Sequence, residues 1–363
     1  MEAMELFLLD SNMDAVGIID DYISIVWTPR RYNEAGDFEM VVPASAEKIN
    51  DLQLGRYLYS TDDNDVLMVI ETVEIETDIE DGDKLKVTGR SIESVLDRRI
   101  IWSQTILSGN LQNGVKKLLT DAIINPSIAD RRISNFIFED STDSRITGLT
   151  LDAQFTGDDL YEAISGICKQ VKIGFKISVD LDTKTLTFKL YVGDDRSYNQ
   201  DTYPFVIFSP KFDNIISTDY LESTTTLKTV TLVAGEGEGS ARKTTIVESS
   251  EGAGSGLDRR EMFSDRRDLS TTTQSGTLSN AEYMKQLTTA GEEDLAENKK
   301  TKAFEGEVES TVMFKYGVDF FIGDIVQIEN QYGMEGTARV IEVVKSYDTS
   351  GYTCLPTFEA INE

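Results

Sequence analysis

The first hundred residues contain a series of short segments in which apolar and polar side chains alternate. In segment 37–42, Phe38, Met40 and Val42 are apolar, and Pro43 ends the segment. This two-residue period is typical of a half-buried β-strand. Six such segments, separated by polar turns, lie at 4–9, 22–27, 37–42, 56–60, 66–77 and 83–87. The pattern predicts an antiparallel β-barrel or β-sandwich at the start of the chain.

The periodicity changes near residue 91. Segment 91–99 predicts a helix, and two apolar stripes at helical spacing follow it. The stripes are Leu111, Val115, Leu118, Leu119 and Ala122, then Leu160, Ile164, Ile167, Cys168 and Val171. Strand patterns at 133–139, 175–179 and 185–192 lie between and after these helices. The middle of the chain is therefore predicted to be an α+β domain.

Strand patterns return at 205–209 and 216–233 and again from 303 to the end. Between them, segment 235–276 is rich in Gly, Ser and charge, which predicts the least globular part of the chain. Ser279 and Glu282 then predict a capped helix that runs to about residue 300. We predict a mainly β, α+β fold with a first β-barrel at 1–95 and an α+β domain at 96–204. A second β-barrel is predicted at 205–234 and 303–363, with a loop-and-helix insertion at 235–302.

Two separated stretches of the sequence resemble each other. LGRYLY at 54–59 is followed by VIETV at 69–73, and IGDIVQ at 322–327 is followed by VIEVV at 340–344. Only the length of the intervening turn differs. Matches this short also arise by chance in a chain rich in β-strands. If the match is genuine, the first and last β-domains are copies of one fold.

The charge restricts the classes of binding partner. The chain carries a net charge of −29, so it repels nucleic-acid phosphates and anionic lipid. This acidity indicates either simple solubility or a surface to which a passing polyanion must not adhere. No apolar run approaches the ~20 residues of a membrane span, and the N-terminus lacks a basic region typical of signal peptides. We expect a chain that folds in the cytosol without membrane insertion.

The chain contains no histidine, which excludes Ser-His-Asp catalysis and histidine-containing zinc sites. Cys168 lies on an apolar stripe and is interpreted as a buried thiol. The acidic segments 62–65 and 78–83 lack the EF-hand spacing and are interpreted as solvated turns. A chain with 64 acidic residues always offers carboxylate pairs, but nothing marks any one pair. We predict no catalytic residue, no cofactor and no metal site.

Several arginines cluster in this acidic chain. Arg30 and Arg31 precede Tyr32 and indicate either a ligand site or a structural strand entrance. The motifs DRRE at 258–261 and DRRD at 265–268 offer guanidinium groups that can pair bidentately with carboxylates. The alternative is a solvated surface with local salt bridges of little energy. We favour an interface role for the arginines of these two motifs. For Arg30 and Arg31 we expect ion pairs within the acidic assembly and not contacts with a substrate.

Five motifs occur in order along the chain. They are WTPRRYNEAGDFEMVVP from Trp27, GRSIESVLDRRIIW from Gly89, AGEGEG from Ala234, GLDRREMF from Gly256 and FFIGDIVQIEN from Phe320. Together they resemble the hub or tail-tip proteins of long-tailed bacteriophages, which are related to the baseplate hubs of contractile tails. The candidate assembly residues from these motifs are Trp27, Arg30, Arg31, Tyr32, Gly36, Phe38, Gly89, Arg98, Arg99, Arg259, Arg260, Glu261, Gly323 and Asp324.

The resemblance implies a homotrimeric ring that closes the tail tube, with two tail-tube-like β-barrels from each chain. Six barrels would match a sixfold tube to a threefold tip. The implied partners are the tail tube, distal tail proteins, the tape measure protein, and a spike, fibre or receptor-binding protein. DNA would pass through the ring without specific binding. The implied location is the virion tail, after assembly in the bacterial cytoplasm.

Many members of this family continue into a long C-terminal fibre or wall-hydrolase region, which we do not expect here because the chain ends soon after the last strand pattern. Two functions of other classes remain open from the sequence. One is a carboxylate-based hydrolase of cell-wall glycan, and the other is a carbohydrate-binding adhesin of the tail.

Overall fold

The computed structural model describes residues 4–80, 82–214, 217–273, 276–307, 313–332 and 335–361. Residues 1–3, Asp81 of the second acidic segment and Ile216 at the start of an expected strand lie outside these ranges. Within them β-strands predominate over helices, which confirms the expected α+β fold rich in β structure.

The first β-region is one antiparallel sheet of seven strands in the order β3-β4-β7-β6-β5-β1-β2. Its elements are β1 (Leu6–Leu9), β2 (Ala15–Ile19), β3 (Ser24–Thr28), β4 (Asp37–Pro43), α1 (Ala46–Asp51), β5 (Tyr57–Ser60), β6 (Leu67–Glu76) and β7 (Lys84–Ser91). Apolar side chains from all seven strands form one core cluster, so the sheet curves around a common interior. Six strands match the alternating segments. β2 was missed because its residues are almost all exposed and do not alternate.

The middle region packs three helices against two small sheets. Its elements are β8 (Thr105–Asn110), α2 (Leu111–Leu119), β9 (Phe136–Glu139), α3 (Ser144–Thr147), β10 (Thr150–Phe155), α4 (Leu160–Gln170), β11 (Gly174–Asp180) and β12 (Thr185–Tyr191). The sheets are β10-β8 and β11-β12-β9. The apolar stripes of α2 and α4 are buried in one cluster that also includes Leu9 and Val69 of the first β-region. The helix expected at 91–99 is a 3-10 helix at Ile92–Arg98.

The C-terminal part contains eleven strands and one long helix within the described residues. They are β13 (Ile207–Phe208), β14 (Ser217–Ser223), β15 (Val230–Ala234), β16 (Thr244–Glu248), β17 (Glu261–Asp265), β18 (Thr272–Thr273), β19 (Gly276–Thr277), α5 (Asn280–Glu297), β20 (Thr301–Glu307), β21 (Ile325–Glu329), β22 (Glu335–Asp348) and β23 (Gly351–Ala360). Strands β13, β14 and β20 to β23 form the last β-region, and the elements from β15 to α5 form the inserted segment.

The inserted segment is more ordered than its composition indicates. Strands β16, β15 and β17 form a sheet that α5 covers, with Val233, Val247 and Leu287 in its core. β15 was expected in the second barrel, but it pairs only with strands of this sheet among the described residues. The Gly- and Ser-rich turns hid these short strands in the sequence. The expected capping box of α5, formed by Ser279 and Glu282, is present.

Strand β22 joins the two β-regions. Its first part pairs with β21, and Lys345 to Tyr347 pair with Ile25 to Trp27 of β3. One sheet of thirteen strands therefore extends through both β-regions, from β2 at one end to β14 at the other. The backbone of the two regions is thus connected by hydrogen bonds and not only by side-chain packing.

The two similar stretches form matching hairpins. Gly55 and Gly323 both have positive φ, at 81° and 100°. The N–H of Gly55 donates to the carbonyl of Ile70 at 2.9 Å, and that of Gly323 donates to the carbonyl of Val340 at 2.7 Å. A bulge follows Ile70 in one copy and Val340 in the other. In the structure Ile70 corresponds to Val340. The sequence match had aligned Val69 with Val340, so the two alignments differ by one residue.

Candidate functional site

The motif Arg30-Arg31-Tyr32 lies where the first β-region, the middle region and the last β-region meet. The N–H of Tyr32 donates to the carbonyl of Ile341 in β22 at 2.8 Å, and the carbonyl of Tyr32 accepts from the N–H of Phe175 in β11 at 3.1 Å. The loop after β3 is therefore bonded to both neighbouring regions. We call this meeting point the three-way junction.

The side chain of Tyr32 occupies the centre of the junction. Its ring is 2% exposed and belongs to the core of the last β-region. The hydroxyl donates to the carbonyl of Lys172 at 3.1 Å, and the guanidinium of Arg339 lies 4.8 Å from the ring centroid. A Cβ at Gly174 or Gly323 would lie 2.6 or 2.7 Å from ring carbons. Both positions therefore require glycine while Tyr32 is in place.

Arg30 forms an ion pair with Asp65 inside the first β-region, and Asp65 in turn contacts β11 of the middle region. Its guanidinium donates to both carboxylate oxygens of Asp65, at 3.0 and 3.1 Å. Asp65 also accepts from the Ser178 hydroxyl at 2.9 Å and lies 3.4 Å from the Lys176 ammonium. Although burial opposes it, the charges of Arg30 and Lys176 lower the pKa of Asp65 to about 2.

Arg31 connects the first β-region to the last one. Its Nε donates to Glu342 Oε2 at 2.6 Å, and its two Nη atoms donate to the Ala35 carbonyl and to Asp37 Oδ2. Burial acts to lower the pKa of Arg31, but the carboxylates of Glu342 and Asp37 raise it. These contacts show the ion pairs that we expected for the motif, formed within one chain.

A buried ion pair lies where β22 meets β3. The Lys345 ammonium is 2.8 Å from both oxygens of Asp63, and the side chains are 7% and 6% exposed. Asp63 Oδ2 also accepts from Trp27 Nε1 at 3.1 Å. The interpretation of segment 62–65 as a solvated turn is wrong for Asp63 and Asp65, whose carboxylates are neutralised by buried or half-buried cations.

Gly323 and Asp324 connect the last β-region to the loop after β12. The Asp324 carboxylate accepts from the backbone N–H of Asp194 at 2.8 Å and from Arg196 Nε at 2.7 Å. A Cβ at Gly193 would lie 2.0 Å from the carbonyl carbon of Gly323. The two backbones approach so closely that only glycine fits at position 193 without a shift.

Two further glycines of the motifs permit close strand contacts beside the junction. A Cβ at Gly36 would lie 2.0 Å from the Thr28 carbonyl oxygen, and one at Gly89 would lie 1.8 Å from that of Val69. The Phe38 ring packs against Gly89 and lies 5.9 Å from the Trp27 ring. The structure therefore brings together nine of the fourteen candidates, namely Trp27, Arg30, Arg31, Tyr32, Gly36, Phe38, Gly89, Gly323 and Asp324.

The other five candidates lie outside the junction. Arg98 is exposed, and Arg99 Nε donates to the carbonyl of Arg131 at 3.2 Å. Arg259 pairs with the exposed Glu261 two residues away, and Arg260 donates to the Thr224 carbonyl at 2.6 Å. Arg259 thus forms a local salt bridge in the single chain, and the interface role that we favoured for it stays a prediction. Lys345 and Asp63 were missed because they are 282 residues apart in sequence.

An acidic cleft lies between α4 and the inserted segment. Its volume is about 510 Å³, and its lining includes the carboxylates of Asp158, Asp159, Glu162, Asp268 and Glu293. Glu293 lies 3.8 Å from the Arg266 guanidinium. Burial raises the pKa of Glu293 to about 7. Among the described residues, no group of three or more Cys, Asp or Glu side chains is arranged to hold a metal ion.

The raised pKa predicts a specific pH dependence. Below its ordinary value of about 4.5, Glu293 is neutral in the folded and unfolded chain alike. As the pH rises towards 7, only the unfolded chain releases the proton, so the contribution to stability is lost in this interval. Glu293→Gln should stabilise the fold by roughly 1–3 kcal/mol at pH 8 and by little at pH 4.

Urea denaturation at the two pH values measures this effect. Glu297→Gln, at an exposed position of the same helix, is the matched control and should change the free energy of unfolding by less than about 0.5 kcal/mol. A stabilisation by Glu293→Gln that is equal at pH 4 and pH 8 would contradict the assignment.

No helix of the described part of the chain is both long and apolar enough to span a membrane.

A protein-family model described as "Siphovirus ReqiPepy6 Gp37-like protein" matches residues 5–358. No curated protein sequence matches the chain significantly.

Solved structures of tail proteins share the fold. A tail protein from Neisseria meningitidis MC58 superposes with a TM-score of 0.58 at 13% identity, covering 99% of this chain and 97% of that one. The 43 kDa tail protein of prophage MuSo2 from Shewanella oneidensis gives 0.57 at 12%, covering 98% of both chains. Prophage tail protein gp18 from Listeria monocytogenes EGD-e gives 0.50 at 14%, covering 99% and 95%. At these identities the likeness is one of fold.

Proposed function

The chain belongs to the Siphovirus ReqiPepy6 Gp37-like protein family, and on that basis we propose that it is a structural hub of a phage tail tip or baseplate. It would act by assembly and not by catalysis. Three structures that share its fold are named as tail proteins, two of them from prophages. The motif resemblance found in the sequence agrees with this family.

One observation carries the proposal: a single sheet runs through two β-regions that contain the same hairpin. A ring of three such chains contains six related β-regions. It can therefore match a sixfold tube at one face and a threefold tip at the other. Contacts between unlike surfaces of neighbouring subunits close into a ring when the rotation between subunits is 120°.

Strand β2 supplies a candidate contact for such a neighbour. It ends the sheet and pairs with β1 alone among the described residues. Val16 and Ile18 on this strand are 51% and 53% exposed. An apolar strand at a sheet edge readily pairs with another chain, and soluble proteins normally protect such edges with charge. We infer that β2 is covered by a second subunit of the ring.

The charge suits a channel for DNA. Each chain contributes a net charge of −29, so a ring with acidic side chains along its lumen would repel the DNA backbone. DNA would then pass without adhering. We propose that the ring is assembled in the bacterial cytoplasm and resides in the virion tail. Its partners would be the tail tube, distal tail proteins, the tape measure protein, and a spike, fibre or receptor-binding protein.

Light scattering and negative-stain imaging test the ring. We expect particles of three times 40.5 kDa with threefold symmetry, either alone or after addition of the tail-tube protein.

The double substitution Val16→Lys/Ile18→Lys should abolish the ring, because charges at the edge prevent strand pairing. The fold should persist because both positions are exposed.

Ile137→Lys, at a position of the middle region that is 48% exposed, is the matched control and should leave the ring intact. The near-ultraviolet circular dichroism of all variants should equal that of the unmodified chain. A chain that stays monomeric even with the tail-tube protein, or a ring that survives both lysines on β2, would refute the arrangement.

A further inference from the structure

A basic and aromatic surface lies on the middle region, away from the three-way junction. It is built from two short segments, 98–102 and 128–132, and we call it the arginine–tryptophan patch. Arg99 Nε donates to the Arg131 carbonyl at 3.2 Å, and Arg131 Nη2 donates to the Ile100 carbonyl at 2.6 Å. The Arg131 guanidinium also lies 5.3 Å from the centroid of the Trp102 ring. These contacts hold the two segments side by side.

The patch carries positive charge that the fold does not neutralise. Its ten residues include Arg98, Arg99, Arg131 and Arg132 but only one acidic residue. Within the described ranges, none of the four guanidinium groups lies within 4.0 Å of a carboxylate. The neighbouring Asp97 carboxylate is bound by Arg90 at 3.0 Å instead. Arginines of the junction, by contrast, are paired.

Crowding of like charges is visible at the centre of the patch. Burial, together with the charges of Arg131 and Arg98, lowers the pKa of Arg99. Arg98 and Arg132 are exposed, so water solvates their charges and both guanidinium groups are accessible to an anion. The guanidinium groups of Arg99 and Arg131 hold the two segments together by donating to backbone carbonyls, so the exposed Arg98 and Arg132 are the groups that a ligand would meet first.

The patch also exposes apolar surface. Trp102 is 62% exposed, and Ile100 and Ile128 are each 42% exposed. The other tryptophan of the chain, Trp27, is fully buried. Exposed tryptophan and arginine side chains that lie together are typical of the residues that dominate the energy of protein interfaces. The surface therefore offers both charge and apolar contact to one partner.

We propose that the arginine–tryptophan patch binds an acidic segment of another protein. Carboxylates of the segment would accept hydrogen bonds from the guanidinium groups, and an aliphatic or aromatic side chain between them would pack on Trp102 and Ile100. A long polyanion fits less well because most of its length lies in the repulsive field of the acidic chain. A short acidic segment stays within the roughly 8–10 Å over which local charges dominate.

Fluorescence anisotropy with labelled peptides tests the proposal. The probe is a twelve-residue peptide of Glu and Leu, compared with one in which Gln replaces Glu. We expect binding of the acidic peptide at 50 mM salt, at least tenfold weaker binding of the Gln peptide, and loss of affinity as the salt concentration rises. The emission of Trp102 should change on binding, since it is the exposed tryptophan.

Arg98→Ala/Arg132→Ala should weaken peptide binding about tenfold, and Trp102→Ala should do at least the same. Both arginines are exposed, so the fold should tolerate their loss. Arg259→Ala/Arg267→Ala removes the same charge from the inserted segment and is the matched control, for which we expect less than a twofold change.

Three results would overturn the proposal. One is equal binding of the Glu and Gln peptides. Another is binding of a twelve-nucleotide oligo(dT) as tight as that of the acidic peptide, which would make the patch a polyanion site. The third is a self-associated form of the chain that Arg98→Ala/Arg132→Ala dissociates, because the patch would then bind a second copy.

Discussion

Lys345→Met is expected to lower the free energy of unfolding by about 3–5 kcal/mol, because it leaves a buried carboxylate without its cation. In the folded chain both oxygens of Asp63 lie 2.8 Å from the Lys345 ammonium, and both side chains are less than a tenth exposed. After the substitution Trp27 Nε1 remains as the one side-chain donor bonded to Asp63 in the described structure. Urea denaturation followed by tryptophan fluorescence measures the loss.

Two variants separate the buried pair from other effects of the substitution. Lys117→Met removes an exposed pair with Asp121, whose side chains are 51% and 53% exposed, so it should cost less than about 1 kcal/mol. Asp63→Asn/Lys345→Met removes both charges but keeps an amide oxygen for Trp27 Nε1, so it should recover most of the stability. A Lys345→Met chain as stable as Lys117→Met would show that the pair does not hold β22 against β3.

The sequence predicted the elements that have a regular period. The alternating segments became six strands of the first β-region, and the two apolar stripes became the buried faces of α2 and α4. The period is readable because each of these elements buries one face, and burial fixes the spacing of its apolar residues. The repeated hairpin was also visible, since a glycine with positive φ must keep its place in both copies.

Other parts could not be read from local pattern. The partners of Arg30 and Lys345 lie 35 and 282 residues away, and nothing near either cation marks the carboxylate that neutralises it. The sheet of the inserted segment was hidden because its short strands are separated by Gly- and Ser-rich turns that are also typical of flexible loops. The exposed strand β2 buries too little to show any period.

Gly323→Ala is the second substitution with a large expected effect, and it tests the three-way junction. The positive φ of Gly323 costs an alanine roughly 1–2 kcal/mol, and its Cβ would lie 2.7 Å from a ring carbon of Tyr32. Displacing that buried ring adds about 1–3 kcal/mol. We therefore expect the free energy of unfolding to fall by about 2–5 kcal/mol in total.

Gly55→Ala is a control that the fold itself provides. Gly55 occupies the same place in the matching hairpin, with φ of 81°, but a Cβ there would meet no described atom within 4 Å. Its substitution should therefore cost only the backbone strain of roughly 1–2 kcal/mol. In a Tyr32→Ala background the additional cost of Gly323→Ala should fall most of the way to that of Gly55→Ala, because the Tyr32 ring is gone and Tyr191 Cε2 at 3.1 Å is the remaining close contact. Equal costs for the two glycines in the unmodified chain would mean that Tyr32 does not press on Gly323. The ring would then not hold the first β-region against the last one.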